Sequence, residues 1–230
     1  MSEAAATRTA IQAPLVRLSG LRHSFPASGF RLRLDHLEIG PGQKVAVIGR
    51  SGCGKTTLLN LIAGIQTPDA GEVYWGNDRI DNLKDPQRRD LRLERMGFVF
   101  QDFCLIDYLN LLENILLPYR LSSRLRLTAS ARERARHLAS QVGLQARLGA
   151  AVGTLSQGER QRVIICRALV TEPQLVLADE ATSNLDPFTR DQIQHTLIAD
   201  VEARQAALLA VTHDRQTLTA YDRVLDLEGT

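Results

Sequence analysis

The chain has 230 residues, of which 44% are hydrophobic and 23% charged, and its formal net charge is +2. This composition is that of an ordinary globular protein with one sizeable core, and the nearly balanced charge gives no electrostatic reason to expect nucleic-acid binding. The cysteines Cys53, Cys104 and Cys166 are widely spaced and fit neither a zinc site nor a disulfide framework, so a reducing compartment is expected. No apolar run approaches the ~20 residues that span a bilayer, so any action at a membrane requires a partner.

Short strands and turns are predicted over most of the N-terminal part of the chain. Residues 1–13 hold one Arg and no sustained apolar block, so we expect a disordered lead-in rather than a signal peptide. The β-rich stretch 16–39 is interrupted by the turn sequence Pro-Ala-Ser-Gly at 26–29, and a Gly-Pro-Gly turn then leads into an apolar strand at 44–48. Two further short strands are expected at 71–77 and 96–100.

From residue 102 to about residue 169 the pattern changes to helix. Asn110 and the Glu three residues later have the spacing of a capping box, and Pro118 is expected to end or kink the helix that this box opens. Another helix is predicted to begin near Thr128 and to close at Gly143. Its expected buried face consists of Ala131, Ala135, Leu138, Ala139 and Val142.

Apolar runs return in the C-terminal part of the chain. The runs 174–178 and 206–211 have no polar alternation, which is typical of parallel strands buried on both faces, and 223–227 is expected to be a last strand. Strands that alternate with helices imply an α/β core built on a mostly parallel sheet.

The most specific pattern in the chain is the octapeptide G-R-S-G-C-G-K-T at residues 49–56. It fits the phosphate-binding pattern G-x4-G-K-[ST] at every position and stands between a predicted strand and a predicted helix, as that motif requires. Lys55 is placed to reach the β- and γ-phosphates, and the Thr56 hydroxyl to bind Mg²⁺. A purely structural glycine turn would not need Lys-Thr at this offset. The residues expected to bind the nucleotide are Gly49, Arg50, Ser51, Gly52, Cys53, Gly54, Lys55, Thr56 and Thr57.

Polar residues of possible catalytic use follow three of the predicted strands. Asp179 and Glu180 end an apolar run, and a carboxylate at the end of a buried strand is costly unless a cation such as Mg²⁺ neutralises it. We expect Asp179 to bind the metal and Glu180 to polarise the attacking water; the alternative is an acidic pair that caps the next helix. Gln101 is expected to offer an amide oxygen to the metal, and His213 to hydrogen-bond the γ-phosphate, although each would be unremarkable alone.

Ser156 and Glu159 have the spacing of a capping box for a helix that runs to residue 169. The free N–H groups and the positive dipole end of such a helix also form an anion site. The two interpretations are compatible, and both are expected to apply.

Taken together, these segments resemble the ATP-binding subunits of ABC transporters, and the resemblance covers the chain from about residue 15 to residue 227. The octapeptide resembles the family's Walker A motif. The segment L-V-L-A-D-E at 175–180 resembles its Walker B motif with the catalytic glutamate, and L-S-Q-G-E at 155–159 resembles its signature motif. Gln101 resembles the Q-loop glutamine, His213 the switch histidine, and Asp186 in S-N-L-D the D-loop aspartate. Phe25 matches the place of the aromatic residue that stacks on adenine, with a core Phe as the alternative.

The resemblance is imperfect at three positions. Gln157 stands where the signature motif usually has its first Gly, and its side chain would narrow the space beside the partner's γ-phosphate. Glu159 stands where Gln is usual, and Ala181 replaces the Pro that often follows the catalytic glutamate. The signature residues expected to act on the partner's nucleotide are Ser156, Gln157, Gly158 and Glu159.

The resemblance also implies a fold, cofactors and partners. The fold would be a P-loop NTPase of the α/β class, with its core at 14–101 and 170–230, an N-terminal antiparallel β subdomain and a helical subdomain inserted at about 102–169. ATP and Mg²⁺ are the implied cofactors, with Thr56, Gln101 and Asp179 at the metal. Two copies would pack head to tail around ATP and drive a separate transmembrane permease from the cytoplasmic face of the membrane; no nucleic acid is expected. The implied catalytic residues are Glu180, His213, Gln101 and Lys55.

Within the family, the segment F-V-F-Q-D-F-C-L-I-D-Y-L-N-L-L-E-N-I-L-L-P-Y-R-L is most similar to ATPases of the macrolide-exporter and lipoprotein-release type. The alternative is a non-transport ABC ATPase that regulates a membrane partner, such as the cell-division type. The residues that are candidates either for contact with the membrane partner or for the core are Leu105, Ile106, Tyr108 and Leu109.

Overall fold

The computed structural model describes residues 13–25, 30–100, 104–181 and 186–228. The predicted strands at the N-terminal end and in the core are present, with ends that shift by a residue or two. The strands are β1 (Val16–Phe25), β2 (Phe30–Ile39), β3 (Lys44–Ile48), β4 (Ala70–Trp75), β5 (Asp78–Arg79), β6 (Met96–Val99), β7 (Leu175–Asp179), β8 (Ala207–Val211) and β9 (Arg223–Asp226).

The helices predicted after the phosphate loop and near residues 110, 128 and 156 are present in that order, and further helices, among them α2, join them. They are α1 (Lys55–Ile62), α2 (Asp85–Arg95), α3 (Leu111–Ile115), α4 (Leu117–Leu121), α5 (Ala129–Gln141), α6 (Gln157–Leu169) and α7 (Pro187–Ala203). No helix in the described part of the chain combines the length and the apolar composition that a bilayer crossing needs.

The strands form two sheets. One is antiparallel, with strand order β2-β1-β4-β5, and the other is parallel, with order β6-β7-β8-β3-β9. The α/β fold with a mostly parallel core sheet and an N-terminal antiparallel sheet is therefore confirmed. In this arrangement the carboxyl ends of β3, β7 and β8 meet at one edge of the parallel sheet, which is where a ligand binds in open α/β sheets.

Burial on both faces explains why β7 and β8 have no polar alternation. Alternate residues of these strands enter two different hydrophobic clusters: Val176 and Leu208 pack in the cluster beneath α3, α5, α6 and α7, whereas Leu177 and Leu209 pack in the cluster shared with α1 and the antiparallel sheet. A parallel strand covered on both sides has no solvent face that would favour polar residues. β9 lies at the edge of the sheet, and Val224 is 42% exposed there.

The helical stretch follows its predicted capping signals. Asn110 caps α3 through a capping box with Glu113, and Thr128 accepts a hydrogen bond at the start of α5. The predicted face of α5 is buried, and Gly143 closes the helix with φ of 72°. Pro118 lies in the first turn of α4, a position where its missing N–H leaves no hydrogen bond unmade, so the break in the helix falls just before the proline.

The helix α2 was not anticipated from the sequence. It has no fully buried residue, and its sequence D-P-Q-R-R-D-L-R-L-E-R is mostly charged, with Leu91 and Leu93 as the apolar side chains of its later turns. Tertiary contacts hold it instead: Arg92 donates to the carbonyl oxygens of Ala63 and Gly64 at 3.1 Å each, and Arg95 pairs with Asp78 at 2.9 Å. Long-range polar contacts of this kind leave no local pattern in the sequence.

Candidate functional site

The phosphate-binding loop connects the end of β3 to the start of α1. Gly49, Gly52 and Gly54 have φ of 146°, 82° and 100°, a region that side chains disfavour. A Cβ at Gly49 would also lie 2.6 Å from the Cys53 sulfur. The loop conformation therefore requires glycine at these positions, which is the physical basis of the sequence pattern.

Lys55 begins α1 and is only 6% exposed. Its ammonium group folds back over the loop and donates to the carbonyl oxygens of Gly49 and Arg50 at 2.9 and 2.8 Å. The first turn of α1 contains no acidic residue, so the buried cation and the helix N-terminus both favour an anion at this place. Of the remaining loop residues, Arg50, Ser51, Gly52 and Thr56 are exposed, and Cys53, Gly54 and Thr57 are half-buried.

A contact from the far end of the chain supports the same loop. The Arg50 backbone N–H donates to the Glu228 carboxylate at 2.5 Å, and the guanidinium of Arg50 lies 3.5 Å from it. Gly49, Arg50 and Glu228 line, together with His213, a cavity of about 440 Å³ beside the loop. No motif predicted the role of Glu228, because 178 residues separate it from Arg50.

Asp179 ends β7 and is 4% exposed. Burial raises the pKa of this carboxyl group above its usual value, while a hydrogen bond from the Thr56 hydroxyl and the charge of Lys55 act against that rise. Thr56, Lys55 and Asp179, which the sequence assigns to metal and phosphates, are thus brought together. Oxygen ligands from a hydroxyl and a carboxylate are those that Mg²⁺ prefers, and a cation would neutralise the buried carboxylate.

Glu180 and His213 are also brought into contact. The His213 Nε2–H donates to Glu180 Oε1 at 2.8 Å. Glu180 has a positive φ of 49°, and its backbone N–H donates to the Val211 carbonyl at 3.2 Å. A non-glycine residue held in this region stores strain, a feature that clusters at active sites.

The acidic pair does not cap the following helix, so that alternative interpretation is wrong. Asp186 caps α7 instead, by accepting a hydrogen bond from the Thr189 N–H at 3.0 Å. One turn into α7, Arg190 pairs with Asp214 at 3.3 Å. This ion pair joins the start of α7 to the residue next to His213, a connection that no local pattern in the sequence indicates.

The capping box at the start of α6 is present as predicted. The Glu159 N–H donates to the Ser156 hydroxyl at 3.2 Å, and the Ser156 N–H donates to the Glu159 carboxylate at 2.8 Å. This backbone hydrogen bond, with the nearby charge of Arg147, lowers the pKa of Glu159 below its usual value. Gln157 is exposed at the first position of the helix, followed by the half-buried Gly158. The N-terminus of α6 is thus ordered and open to a ligand.

Three predicted features lie outside what the structure describes. They are Gln101, the side chain of Phe25 and residues 182–185 of the D-loop. Residues 1–12 of the predicted lead-in are likewise outside the described ranges.

Known proteins resemble this chain over most of its length. The family model for the ABC transporter matches residues 32–183. The lipoprotein-releasing system ATP-binding protein LolD of Psychrobacter arcticus is 40% identical over 194 residues, which are 84% of this chain and 85% of that protein. LolD of Syntrophotalea carbinolica is 38% identical over 218 residues, 94% of this chain and 95% of that protein.

A solved structure shows the same architecture. The post-hydrolysis dimer of the ATP-binding cassette MJ0796, bound to ADP and Pi, superimposes with a TM-score of 0.82 at 31% identity and covers 92% of this chain and 93% of that chain. The motifs, the two-sheet fold and these similarities agree. The chain therefore belongs to the ABC transporter family and is one of its ATP-binding, ATP-hydrolysing subunits.

Proposed function

We propose that this chain is the ATPase of a lipoprotein-releasing or related export system, bound to the cytoplasmic face of the membrane through a separate transmembrane permease. The observation that carries the catalytic part is the contact between Glu180 and His213 at the sheet edge where the phosphate-binding loop also lies. The specific system is supported by the identity of about two residues in five to LolD proteins.

The loop residues bind the phosphates. The backbone N–H groups from Gly49 to Thr56 and the ammonium group of Lys55 surround the place where the β- and γ-phosphates bind. Thr56 and Asp179 supply oxygen ligands for Mg²⁺, together with Gln101, and the metal ion offsets phosphate charge when it is bound. Hydrogen bonds to two loop carbonyl oxygens anchor the ammonium group of Lys55 beside these N–H groups.

Glu180 orients the attacking water and accepts its proton, and His213 holds the Glu180 carboxylate in place and contacts the γ-phosphate. The 2.8 Å hydrogen bond fixes the rotamer of Glu180, and the backbone bond to Val211 fixes its main chain. Positioning and electrostatic stabilisation provide most of the rate enhancement in phosphoryl transfer.

A second copy of the chain completes each site. The open N-terminus of α6, with Ser156 and Gly158, has the N–H groups and dipole that an anion needs. We assign it to the γ-phosphate of ATP bound by the partner, in a head-to-tail dimer with Asp186 at the subunit contact. The dimer of MJ0796 with ADP and Pi supports this arrangement. ATP then joins the two copies, and hydrolysis releases them.

The surface proposed to contact the permease is the turn 105–109. Tyr108 is 87% exposed at its tip, whereas Leu105 packs against the core, so Tyr108 is the strongest of the four candidate residues. Asn114, fully buried, holds the turn through hydrogen bonds to Ile106 and Leu109. An exposed aromatic residue on a rigid turn is a favourable anchor for a protein partner.

The test of this function is the Glu180→Gln variant. It should bind ATP, lose hydrolysis by about 100-fold or more, and accumulate as an ATP-bound dimer in size-exclusion chromatography.

Tagged Glu180→Gln protein, incubated with ATP and solubilised membranes, should then capture a transmembrane permease of the lipoprotein-release type. Hydrolysis near the wild-type rate would exclude Glu180 as the catalytic residue, and recovery of a cell-division membrane protein would favour the regulatory alternative.

Glu172→Gln is the matched control. Glu172 also has a positive φ, 54°, but it is exposed and pairs only loosely with Arg134, at 3.5 Å. Its substitution removes a carboxylate from a similarly strained backbone position outside the site. The control should hydrolyse ATP at the wild-type rate.

A further inference from the structure

Arg147 reaches from a short 3-10 turn, Gln145–Arg147, to the signature segment. Its Nη2 donates to the Thr154 carbonyl and hydroxyl oxygens at 3.1 and 3.2 Å. Its Nη1 lies 3.4 Å from Glu159 Oε1. One guanidinium group therefore contacts Thr154, which precedes the capping residue Ser156 in the sequence, and Glu159, which follows it.

The position of Glu159 creates an electrostatic conflict. Its side chain is 17% exposed and lies in the first turn of α6, at the helix end assigned above to the partner's γ-phosphate. A full negative charge next to a phosphate site opposes the binding of a phosphate, and the effect is larger where water is partly excluded. Arg147 carries the charge that compensates Glu159 most closely, with Arg162 as a weaker second cation.

The local structure of the segment does not depend on Arg147. The capping box between Ser156 and Glu159 closes by itself, and Thr154 is held by hydrogen bonds from its own N–H and hydroxyl to the Ala151 carbonyl, at 3.0 and 2.8 Å. The principal effect of Arg147 is therefore on charge rather than on folding.

We propose that Arg147 is a positioning residue for the ATP-dependent dimer, because it cancels the charge of Glu159 and so allows the N-terminus of α6 to accept the partner's γ-phosphate. The inference rests on the proposed function, in which α6 acts across the dimer interface. The usual Gln at this position of the signature motif carries no charge, so it would need no arginine to compensate it. The charge compensation is therefore specific to the pair of Arg147 and Glu159.

A double-mutant cycle tests this idea. Arg147→Gln, Glu159→Gln and the double variant are made in the Glu180→Gln background, and the ATP concentration for half-maximal dimerisation is measured by light scattering. Arg147→Gln should raise that concentration about threefold to tenfold, the range expected for one charge at a helix terminus. Glu159→Gln alone should lower that concentration, and the double variant, in which neither charge is present, should stay within about twofold of the parent protein. Arg147→Lys, which keeps the charge, should restore most of the affinity.

The controls separate this inference from the function on which it rests. Arg124→Gln removes a comparable surface ion pair, to Glu94 at 3.2 Å, and should leave dimerisation unchanged. Nucleotide binding to the monomer's own phosphate loop should also be unaffected by Arg147→Gln. No effect of Arg147→Gln, or a double variant that dimerises as weakly as Arg147→Gln alone, would overturn the charge-cancelling role while leaving the ATPase function standing. If the parent Glu180→Gln protein does not dimerise with ATP, the head-to-tail mechanism fails first, and the role of Arg147 with it.

Discussion

The substitution Asn114→Leu tests whether one buried amide holds the turn that carries Tyr108. Asn114 is fully buried in α3, and within the described residues its side-chain hydrogen bonds all go to the main chain of preceding residues. Its Oδ1 accepts from the Ile106 N–H at 2.8 Å. Its Nδ2 donates to the carbonyl oxygens of Ile106, Leu109 and Asn110 at 3.1, 3.2 and 3.1 Å.

The size of the effect follows from these contacts. An amide nitrogen carries two hydrogens, so its three contacts amount to two full hydrogen bonds, and the accepted bond makes about three in total. At about 1 kcal/mol of net stability for each bond, Asn114→Leu should lower the free energy of unfolding by about 3 kcal/mol. Leu has the same number of side-chain heavy atoms as Asn in the same branched arrangement, so the substitution leaves no cavity and the loss of hydrogen bonds dominates.

Urea unfolding followed by circular dichroism measures the stability, and ATPase assays with the permease in detergent measure the coupling. We expect basal ATPase activity of the folded variant to persist while stimulation by the permease is lost, because the turn is no longer held. A stability loss below about 1 kcal/mol, or full stimulation, would refute the reasoning. Tyr108→Ala serves as the comparison: it should lose stimulation with no change in unfolding.

Three further outcomes are expected. Maleimide should inhibit the ATPase by modifying Cys53 in the phosphate loop, with protection by ATP; labelling of Cys53 without inhibition would contradict this. Gly97→Ala should destabilise the fold by more than about 2 kcal/mol, because the new Cβ would lie 2.2 Å from a carbonyl oxygen of α6, whereas Gly40→Ala, with no atom within 4 Å, should be neutral in thermal unfolding. Arg190→Gln should lower kcat more than it changes KM by loosening the ion pair to Asp214, and unchanged kinetics would show that this pair does not position the neighbouring histidine.

The sequence alone determined those features that are set by neighbours in the chain. The glycines of the phosphate loop, the capping boxes at Asn110 and Ser156 and the apolar runs of β7 and β8 each follow from a conformational preference or a burial pattern within a few residues. Such local signals do not need the rest of the molecule, and they were sufficient to predict the fold class and the family.

The tertiary structure decided which distant groups meet. It placed Glu180 against His213, the Thr56 hydroxyl against Asp179, and Arg147 against Glu159, and it showed the mostly charged helix α2, which the sequence did not predict. These contacts arise because the parallel sheet brings the ends of separated strands to one edge and packs the helices beside them. Hydrogen bonds and ion pairs across that distance have no repeating pattern along the chain, so only the folded molecule reveals them.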